Sequence, residues 1–522
     1  MGVAMMPLDP VPHTIDRVLR GQAGDVALID RDGAMTFAEA EAAVSATAAW
    51  LGRQGLATGD RVASWLPKTR VACLLPLAAA RAELVYVPIN PALRRAQVAH
   101  ILSDSGARLL VTQAARAATL EFEDVPSGCV VVDEAMGPRE GGDPDWAPAF
   151  AGAQRARGAH DLAQILYTSG STGRSKGVML THANLWLGAV GVAYYLKLTP
   201  EDRALAVLPL SFDYGQSQLL STWYAGGSVA PLDYLTPRDV VKAVARYVPT
   251  TLAGVPPLWT QLLETDWPAA TSLRRLTNSG GALTPRLVRG LRERFPQADL
   301  YAMYGLTEAF RSTYLDPALI DAHPDAIGRA IPFADVSVRR PDGSRAAPGK
   351  AGELVHTGPL VAQGYWQDPA RTAQRFRPEP DGSLAVWSGD TVVEGADGLL
   401  RFVGRDDEMI KTSGNRVSPT EVEEAVLAGG EVLEAVALGV ADERLGQAIV
   451  VVLAGDAARE GELRARLRAE LPSFVQPAHY VWRDALPRNA NGKLDRAALR
   501  AECAPAQAGA QSGLLPSQEH IG

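Results

Sequence analysis

The stretch Tyr167–Leu185, YTSGSTGRSKGVMLTHANL, decides how this chain is read, because it holds three Gly, three Ser and two Thr before its first apolar pair. Such a run cannot pack a core. The preceding AQILYTS reads as a strand and a helix is expected to start near Thr181, so the run is the loop between them. Glycines let backbone N–H groups approach a ligand, hydroxyls donate further hydrogen bonds, and Lys176 adds a positive charge, which together suit a phosphate cradle. The loop is not a Walker A motif: five residues after Gly170 stands Ser175, where that motif requires Gly-Lys-Ser/Thr to follow. A solvated Ser/Gly linker is the bland alternative, and the density of donors between a strand and a helix speaks against it.

On the N-terminal side, helical and strand patterns alternate from residue 36. TFAEAEAAVSATAAWLGRQG opens on a capping box, Thr36 with Glu39, and stops at Gly55. DRVASWL reads as a strand, followed by an apolar helix from Val71 to Arg81, the strand ELVYVPIN, a helix after Pro91 and the strand ARLLVT. This is the rhythm of βα units around parallel sheet, so the fold class is α/β. Residues 134–160 are rich in Pro, Gly and Ala and mark either a boundary or a long surface connection. Beyond residue 330, DVSVRRPDGS, GELVHTG and GLLRFVGR are short strands with Asp-Gly turns, which predicts a small β-rich subdomain. The expected division is a large core over 1–404 built of two βαβ-type subdomains plus that β-rich one. A small mobile α+β domain would occupy 405–503, then a disordered tail 504–522.

The 522 residues allow two to four domains and ample buried core. A formal charge of -8 without a block of like charges argues against a nucleic-acid footprint or a polybasic membrane anchor, leaving small molecules and proteins as partners. Cys73, Cys129 and Cys503 lie far apart with no CxxC pair, against a zinc site or a disulfide framework and in keeping with a reducing cytoplasm. The N-terminal segment lacks a signal-peptide pattern, and the most apolar window, from Val71 to Asn90, is interrupted by Arg81, Glu83 and two prolines, so a soluble protein is expected.

YTSGSTGRSKGV resembles the phosphate-loop signature of the adenylate-forming superfamily, which contains acyl-CoA synthetases, luciferases and the adenylation domains of peptide synthetases. Ser175 stands where the usual form has proline, which leaves the backbone donors and Lys176 in place. Further motifs of that family occur in its order, between about residue 10 and residue 500. The resemblance implies that Thr168, Ser169, Gly170, Ser171, Thr172, Gly173 and Lys176 hold the phosphates of ATP. In NSGGAL it implies that Gly280, Gly281 and Ala282 line the adenine pocket. In MYGLTE it implies that Tyr304 stacks on adenine, Thr307 contacts the α-phosphate and Glu308 helps hold Mg²⁺, an ion that suits hard carboxylate oxygens. In WSGD, Asp390 would bind the ribose hydroxyls. GRDDEMIKTSGNRVSPTEVE resembles the junction to the C-terminal domain, with Arg405 on ribose, Asp407 as hinge, and Lys411 and Gly414 facing a pantetheine arm. PRNANGKLDR resembles the catalytic-lysine loop, implying that Lys493 reaches the reacting carboxylate and α-phosphate during adenylation.

The acid is addressed by SFDYGQSQ, which stands where many acyl-CoA synthetases carry an aromatic-His pair. Asp213 falls where amino-acid-adenylating domains place the aspartate that pairs with the substrate ammonium, and the competing reading is a helix cap after Phe212. Tyr214, Ser217, Met303 and Arg311 are the other pocket positions. Within the superfamily, LSFDYGQSQ, GVPPLW, NSGGAL and MYGLTEAFRSTYL are most similar to stand-alone ligases that activate L-proline for a carrier protein. A closely similar group is the AMP-forming ligases of exosortase systems. The expected partners are therefore an amino acid or other small carboxylic acid, and a peptidyl or acyl carrier protein, or CoA, as thiol acceptor. No Gly-Gly-x-Ser carrier signature occurs after Lys493. An acyl-CoA ligase acting on an amine-free acid is the alternative, and an idle nucleotide-binding scaffold a third, against which Glu308, Arg405, Lys411 and Lys493 together speak.

Overall fold

Thr36 and Glu39 exchange the two hydrogen bonds of a capping box and start the helix Phe37–Gly52, so the first local expectation from sequence is met. The structure, a computed structural model, describes residues 8–136, 158–168, 175–281, 283–405, 408–412, 415–442, 445–471, 475–490 and 492–503. It divides into two units. The first comprises Met1–Ser337, Val355–Ser388 and Gly398–Leu400, and the second Val338–Leu354, Gly389–Asp397 and Arg401–Gly522.

The first unit contains the expected βα rhythm. One sheet has the spatial order Val130–Asp133, Leu109–Thr112, Arg61–Trp65, Val85–Pro88, Leu162–Thr168, Lys176–Thr181, parallel except for its last pair. Its inner strands RVASW, VYVP, LLVT and LAQILYT are buried along most of their length, as parallel strands flanked by helices must be. Because Val85–Pro88 pairs with Leu162–Thr168, the Pro/Gly-rich segment is a connection within this sheet and not a boundary.

A second sheet runs through Val26–Asp30, Ser228–Pro231, Arg203–Ala206, Thr251–Gly254, Arg275–Asn278 and Asp299–Tyr304, all parallel. Two helices pack against each other within this unit, His182–Tyr195 and Asp213–Tyr224. Trp186, Trp223 and Trp259 are fully buried, each a large apolar side chain worth about 1.5–3 kcal/mol of transfer free energy. Trp223 also donates its indole N–H to the Ala27 carbonyl at 2.8 Å, tying the second helix to the sheet.

Every residue of Asp213–Tyr224 is buried, although DYGQSQLLSTWY is largely polar. A helix buried all round is normally apolar. The polar groups are instead satisfied inside: Gln216 and Gln164 exchange two amide hydrogen bonds of 2.9 Å, and the Tyr214 hydroxyl meets Thr277 Oγ1 at 2.6 Å. Gly215 lets the helix start close to the preceding loop, since a Cβ there would stand 1.9 Å from the Pro209 carbonyl oxygen.

The second unit has its own core. Strands Val432–Asp442 and Gly446–Gly455 form a long antiparallel hairpin, and His479–Arg483 pairs parallel to the latter. Val422, Val426, Ile449, Val451 and Leu463 pack between this sheet and the helices Pro419–Ala428 and Glu460–Glu470. The helix predicted at SPTEVEEAV is present, with Ser418 as its N-cap. Among the described residues no helix is long and apolar enough to cross a membrane, and the three cysteines are free thiols.

Candidate active site

Tyr167 and Thr168 lie in the first arm of a β-hairpin whose second arm begins at Lys176. Leu162–Thr168 pairs antiparallel with Lys176–Thr181, with Thr168 directly opposite Lys176, so a strand precedes the helix where the sequence pattern suggests a loop running straight into it. Thr181 caps the helix His182–Tyr195, accepting from the Asn184 N–H. Ser169, Gly170, Ser171, Thr172 and Gly173 lie outside the described residues, as do Ala282, Asp407 and Gly414 and the side chains of Arg405 and Lys411. Thr168 Oγ1, at the rim of the hairpin, is buried and has no hydrogen-bond partner among the described residues.

Lys176 is the first residue of the second arm. Its ammonium donates to Glu308 Oε1 at 3.0 Å and to the Tyr365 hydroxyl at 2.7 Å, while that hydroxyl donates to the same Glu308 oxygen at 2.7 Å. Two segments bring these groups together. Glu308 sits in the single turn Thr307–Ala309 that comes after the strand Asp299–Tyr304. Tyr365 arrives because the chain runs along the free edge of Lys176–Thr181: Met179 N–H donates to Gly364 O, Gln363 N–H to Met179 O and Trp366 N–H to Gly177 O. Ala362 N–H bonds the Glu308 carbonyl, which locks that run to the turn.

The electrostatics derive from burial. Burial pushes the Glu308 carboxyl up, but the Lys176 charge and the hydrogen bonds from Tyr365 and Lys176 outweigh it and hold the group below its ordinary 4.5. Burial also pulls the Lys176 ammonium below its ordinary value, with Glu308 opposing. Burial and the neighbouring Glu308 raise the Tyr365 phenol, which stays a donor at neutral pH. At an effective dielectric near 20, unit charges about 4 Å apart attract by about 4 kcal/mol, enough to keep both members of the pair charged. Glu308 thus presents an ionised oxygen donor, and no group of three or more His, Cys, Asp or Glu stands together among the described residues. A single carboxylate fits Mg²⁺ held chiefly by phosphates, not a cage of protein ligands.

The other predicted residues of the first unit gather at the carboxyl ends of the parallel strands, where open α/β sheets bind ligands. Ser279, Gly280 and Gly281 come directly after Arg275–Asn278, and Tyr304 ends the adjacent strand, paired in register with Asn278 opposite Ala302. Gly280 takes φ +81°, and Asn278 braces the turn by donating to the Gly281 carbonyl at 2.9 Å. Thr307 opens the turn that carries Glu308.

Asp213 is buried as the first residue of Asp213–Tyr224, and Phe212, not Asp213, is the N-cap. It lies one turn before Ser217. Tyr214, Ser217, Met303 and Arg311, the four other predicted pocket positions, line one small pocket together with Gln218 and Thr277, and Asp213 is not among its lining residues. Met303 is fixed there by the Tyr195 hydroxyl, which donates to its Sδ at 2.9 Å.

The remaining predicted residues belong to the second unit. Asp390 is buried in the strand Leu384–Glu394, next to Gly389, whose N–H is held by Glu353 at 2.7 Å. Arg405 ends Leu400–Arg405 and Lys411 lies in Ile410–Thr412. Lys493 sits in a tight turn closed by Asn489, whose N–H donates to the Lys493 carbonyl at 2.8 Å and whose Oδ1 accepts from the Lys493 N–H at 3.1 Å.

Nothing in GYWQD marks Tyr365 as a site residue; its bridge to Val178 and the hydrogen bonds of the run 362–366 bring it to Lys176. Gln218 closes the SFDYGQSQ stretch but is not singled out there as a pocket residue. A signal for it is present all the same, in polar residues at helical spacing on a helix otherwise bounded by apolar chain.

A family model described as AMP-binding enzyme matches residues 15–366, and one described as AMP-binding enzyme C-terminal domain matches residues 421–493. The chain is 33% identical over 487 residues to a feruloyl-CoA synthase from an Amycolatopsis species, covering 90% of this chain and 94% of that one. It is 31% identical over 486 residues to tyrocidine synthase 3 of Brevibacillus parabrevis, covering 91% of this chain but spanning only 7% of that much longer protein. Among solved structures, ATP-bound MatB from Rhodopseudomonas palustris has a TM-score of 0.83 at 28% identity, covering 94% of this chain and 98% of that one.

Proposed function

The chain belongs to the AMP-binding enzyme family, and on that basis we propose that it is an ATP-dependent ligase that adenylates an amino acid and passes the aminoacyl group to the thiol of a separate carrier protein. The observation that carries the amino-acid reading is Asp213, a buried carboxylate at the start of the helix whose next turns line the pocket. A buried substrate ammonium needs such a counter-charge, because removing one partner of a buried pair costs roughly 3–5 kcal/mol. L-proline is the member of that class named by the resemblance.

In the first half-reaction the amino-acid carboxylate oxygen bonds to the α-phosphorus of ATP, the bond from that phosphorus to the bridging oxygen breaks, and pyrophosphate leaves. An anion attacking a polyanion is repelled, so the chain's task is positioning and charge compensation. Lys176 and Thr168 border the loop that would hold the phosphates, and Lys493 would reach the reacting carboxylate, as the resemblance implies. Glu308 would hold Mg²⁺, which when bound neutralises phosphate charge. In the second half-reaction the thiol attacks the acyl carbon and AMP departs. The mixed anhydride hydrolyses if wet, so water must be excluded until the thiol arrives.

A second reading, an amine-free acid joined to CoA, is favoured by the identity with feruloyl-CoA synthase. Pyrophosphate release with ATP and Mg²⁺ across the twenty amino acids and a panel of aromatic and fatty acids, without a thiol, separates the two. A response confined to amino acids supports the first reading, and one confined to amine-free acids overturns it.

A further inference from the structure

Arg311 is 2% exposed and permanently charged, yet it forms no ion pair with any described residue. Its Nη1 donates to the Ser279 hydroxyl, its guanidinium lies over the Tyr214 ring at 4.8 Å, and its Nε is buried with no acceptor among the described residues. The same unit shows how the fold ordinarily buries an arginine. Arg275 is 8% exposed and is given the Asp202 carboxylate at 2.9 Å and Thr251 Oγ1 at 2.8 Å. The described groups that meet the Arg311 guanidinium, the Ser279 and Tyr195 hydroxyls and the Tyr214 ring, are neutral.

Its position is built, not incidental. Phe310 is held at φ +58°, outside the usual range for a residue with a side chain, and its ring fills the space above Gly188, where a Cβ would stand 2.4 Å from it. That turn carries the chain from Glu308 to Arg311. Arg311 is the one charged residue lining the pocket of Tyr214, Ser217 and Met303, among the described residues; the Tyr214 hydroxyl there meets Thr277, and the Tyr195 hydroxyl, which meets Met303, also lies within hydrogen-bonding reach of Arg311.

We propose that this pocket receives an acid bearing a second carboxylate, remote from the one that reacts, and that Arg311 is the specificity-determining residue that binds it. The proposal rests on the reading that the chain adenylates a carboxylic acid in this pocket. Joined to Asp213 as ammonium anchor, it names an amino acid whose side chain ends in a carboxylate. A proline ring offers the guanidinium no acceptor, so this departs from L-proline.

The test is ATP–pyrophosphate exchange by the full chain with aspartate and glutamate, their amides asparagine and glutamine, the amine-free succinate and glutarate, and neutral amino acids including proline. The unaltered protein should prefer an acid with the second carboxylate over its amide by roughly 10² or more, as expected for a site built around a charged hydrogen bond. Arg311→Gln should bring the two within about tenfold, and Arg311→Lys should restore part of the preference. ATP binding by each variant, measured by calorimetry, distinguishes a lost preference from a lost fold. Exchange led by succinate or glutarate keeps the Arg311 assignment and overturns the amino-acid reading. Exchange led by neutral amino acids does the reverse. No exchange with any acid carrying a second carboxylate also overturns the assignment, and the panel on the unaltered protein needs no variant to fold.

Discussion

Lys176 and Glu308 stand 3.0 Å apart although 132 residues separate them in the chain, and Tyr365 closes the third side of the cluster with two contacts of 2.7 Å. Both charges are mostly buried, with side-chain exposures of 17% and 13%. Lys176→Met leaves the Glu308 carboxylate without its counter-charge and should lower stability by about 3 kcal/mol, while adding Glu308→Gln should recover most of that loss. Urea unfolding of the two variants checks it. A double variant no more stable than the single one would mean the pair is not energetically coupled.

His356 is fully buried, with Nδ1 at 3.0 Å from Ser312 Oγ, and burial lowers its pKa from 6.5 to about 3. The folded state therefore keeps it neutral where the unfolded chain protonates it. Stability from this group is complete above pH 6.5 and falls as pH drops toward 3, with a slope of up to about 1.4 kcal/mol per pH unit. Replacement by Asn, which can still meet Ser312, should flatten the pH dependence of unfolding between about pH 6 and 4 in proportion. An unchanged slope would place the acid sensitivity elsewhere.

Two glycines should respond with opposite sign. A methyl at Gly215 would meet the Pro209 backbone carbonyl at 1.9 Å, so Gly215→Ala should destabilise by about 1–3 kcal/mol or more and disturb the helix that bears Asp213. Gly461 lies in the helix Glu460–Glu470 with nothing within 4 Å of such a methyl, so Gly461→Ala should stabilise by about 0.4–1 kcal/mol. Thermal unfolding of both reads the contrast directly.

Lys493→Ala should slow adenylation by roughly 10²–10³, the cost of one positioned donor to a charged transition state. Thiol transfer from preformed adenylate should persist. Single-turnover measurements of each half-reaction test this division, and equal loss in both would end it.

Asp213→Ala should erase discrimination between an amino acid and its deaminated analogue, a preference that could reach about 10⁴ in a site built around the ammonium. Pyrophosphate exchange with the matched pair gives the ratio, and an unaltered ratio removes Asp213 from substrate recognition.

Local chemistry accounts for the features legible in the sequence. The Thr36 and Glu39 box, the Ser418 N-cap position and the alternating strands and helices depend on neighbours a few residues apart, where spacing alone dictates geometry. The motifs around Ser279 and Tyr304 lie at or just past the end of a parallel strand, and parallel strands deliver their carboxyl ends to one edge. The β-strand Lys176–Thr181 is not legible, since its pairing comes from the preceding strand and from the run at Gln363–Trp366.

The α/β class and the family are carried by periodicity and by contiguous motifs, and reading the chain residue by residue is enough to establish them. Long-range packing was needed to show that Tyr365 joins Lys176 and Glu308, and that the polar helix Asp213–Tyr224 is buried on every side. The same holds for Arg311, buried without a carboxylate among the described residues. Burial and charge pairing are set by groups tens to hundreds of residues away, and no local pattern encodes which of them will be absent.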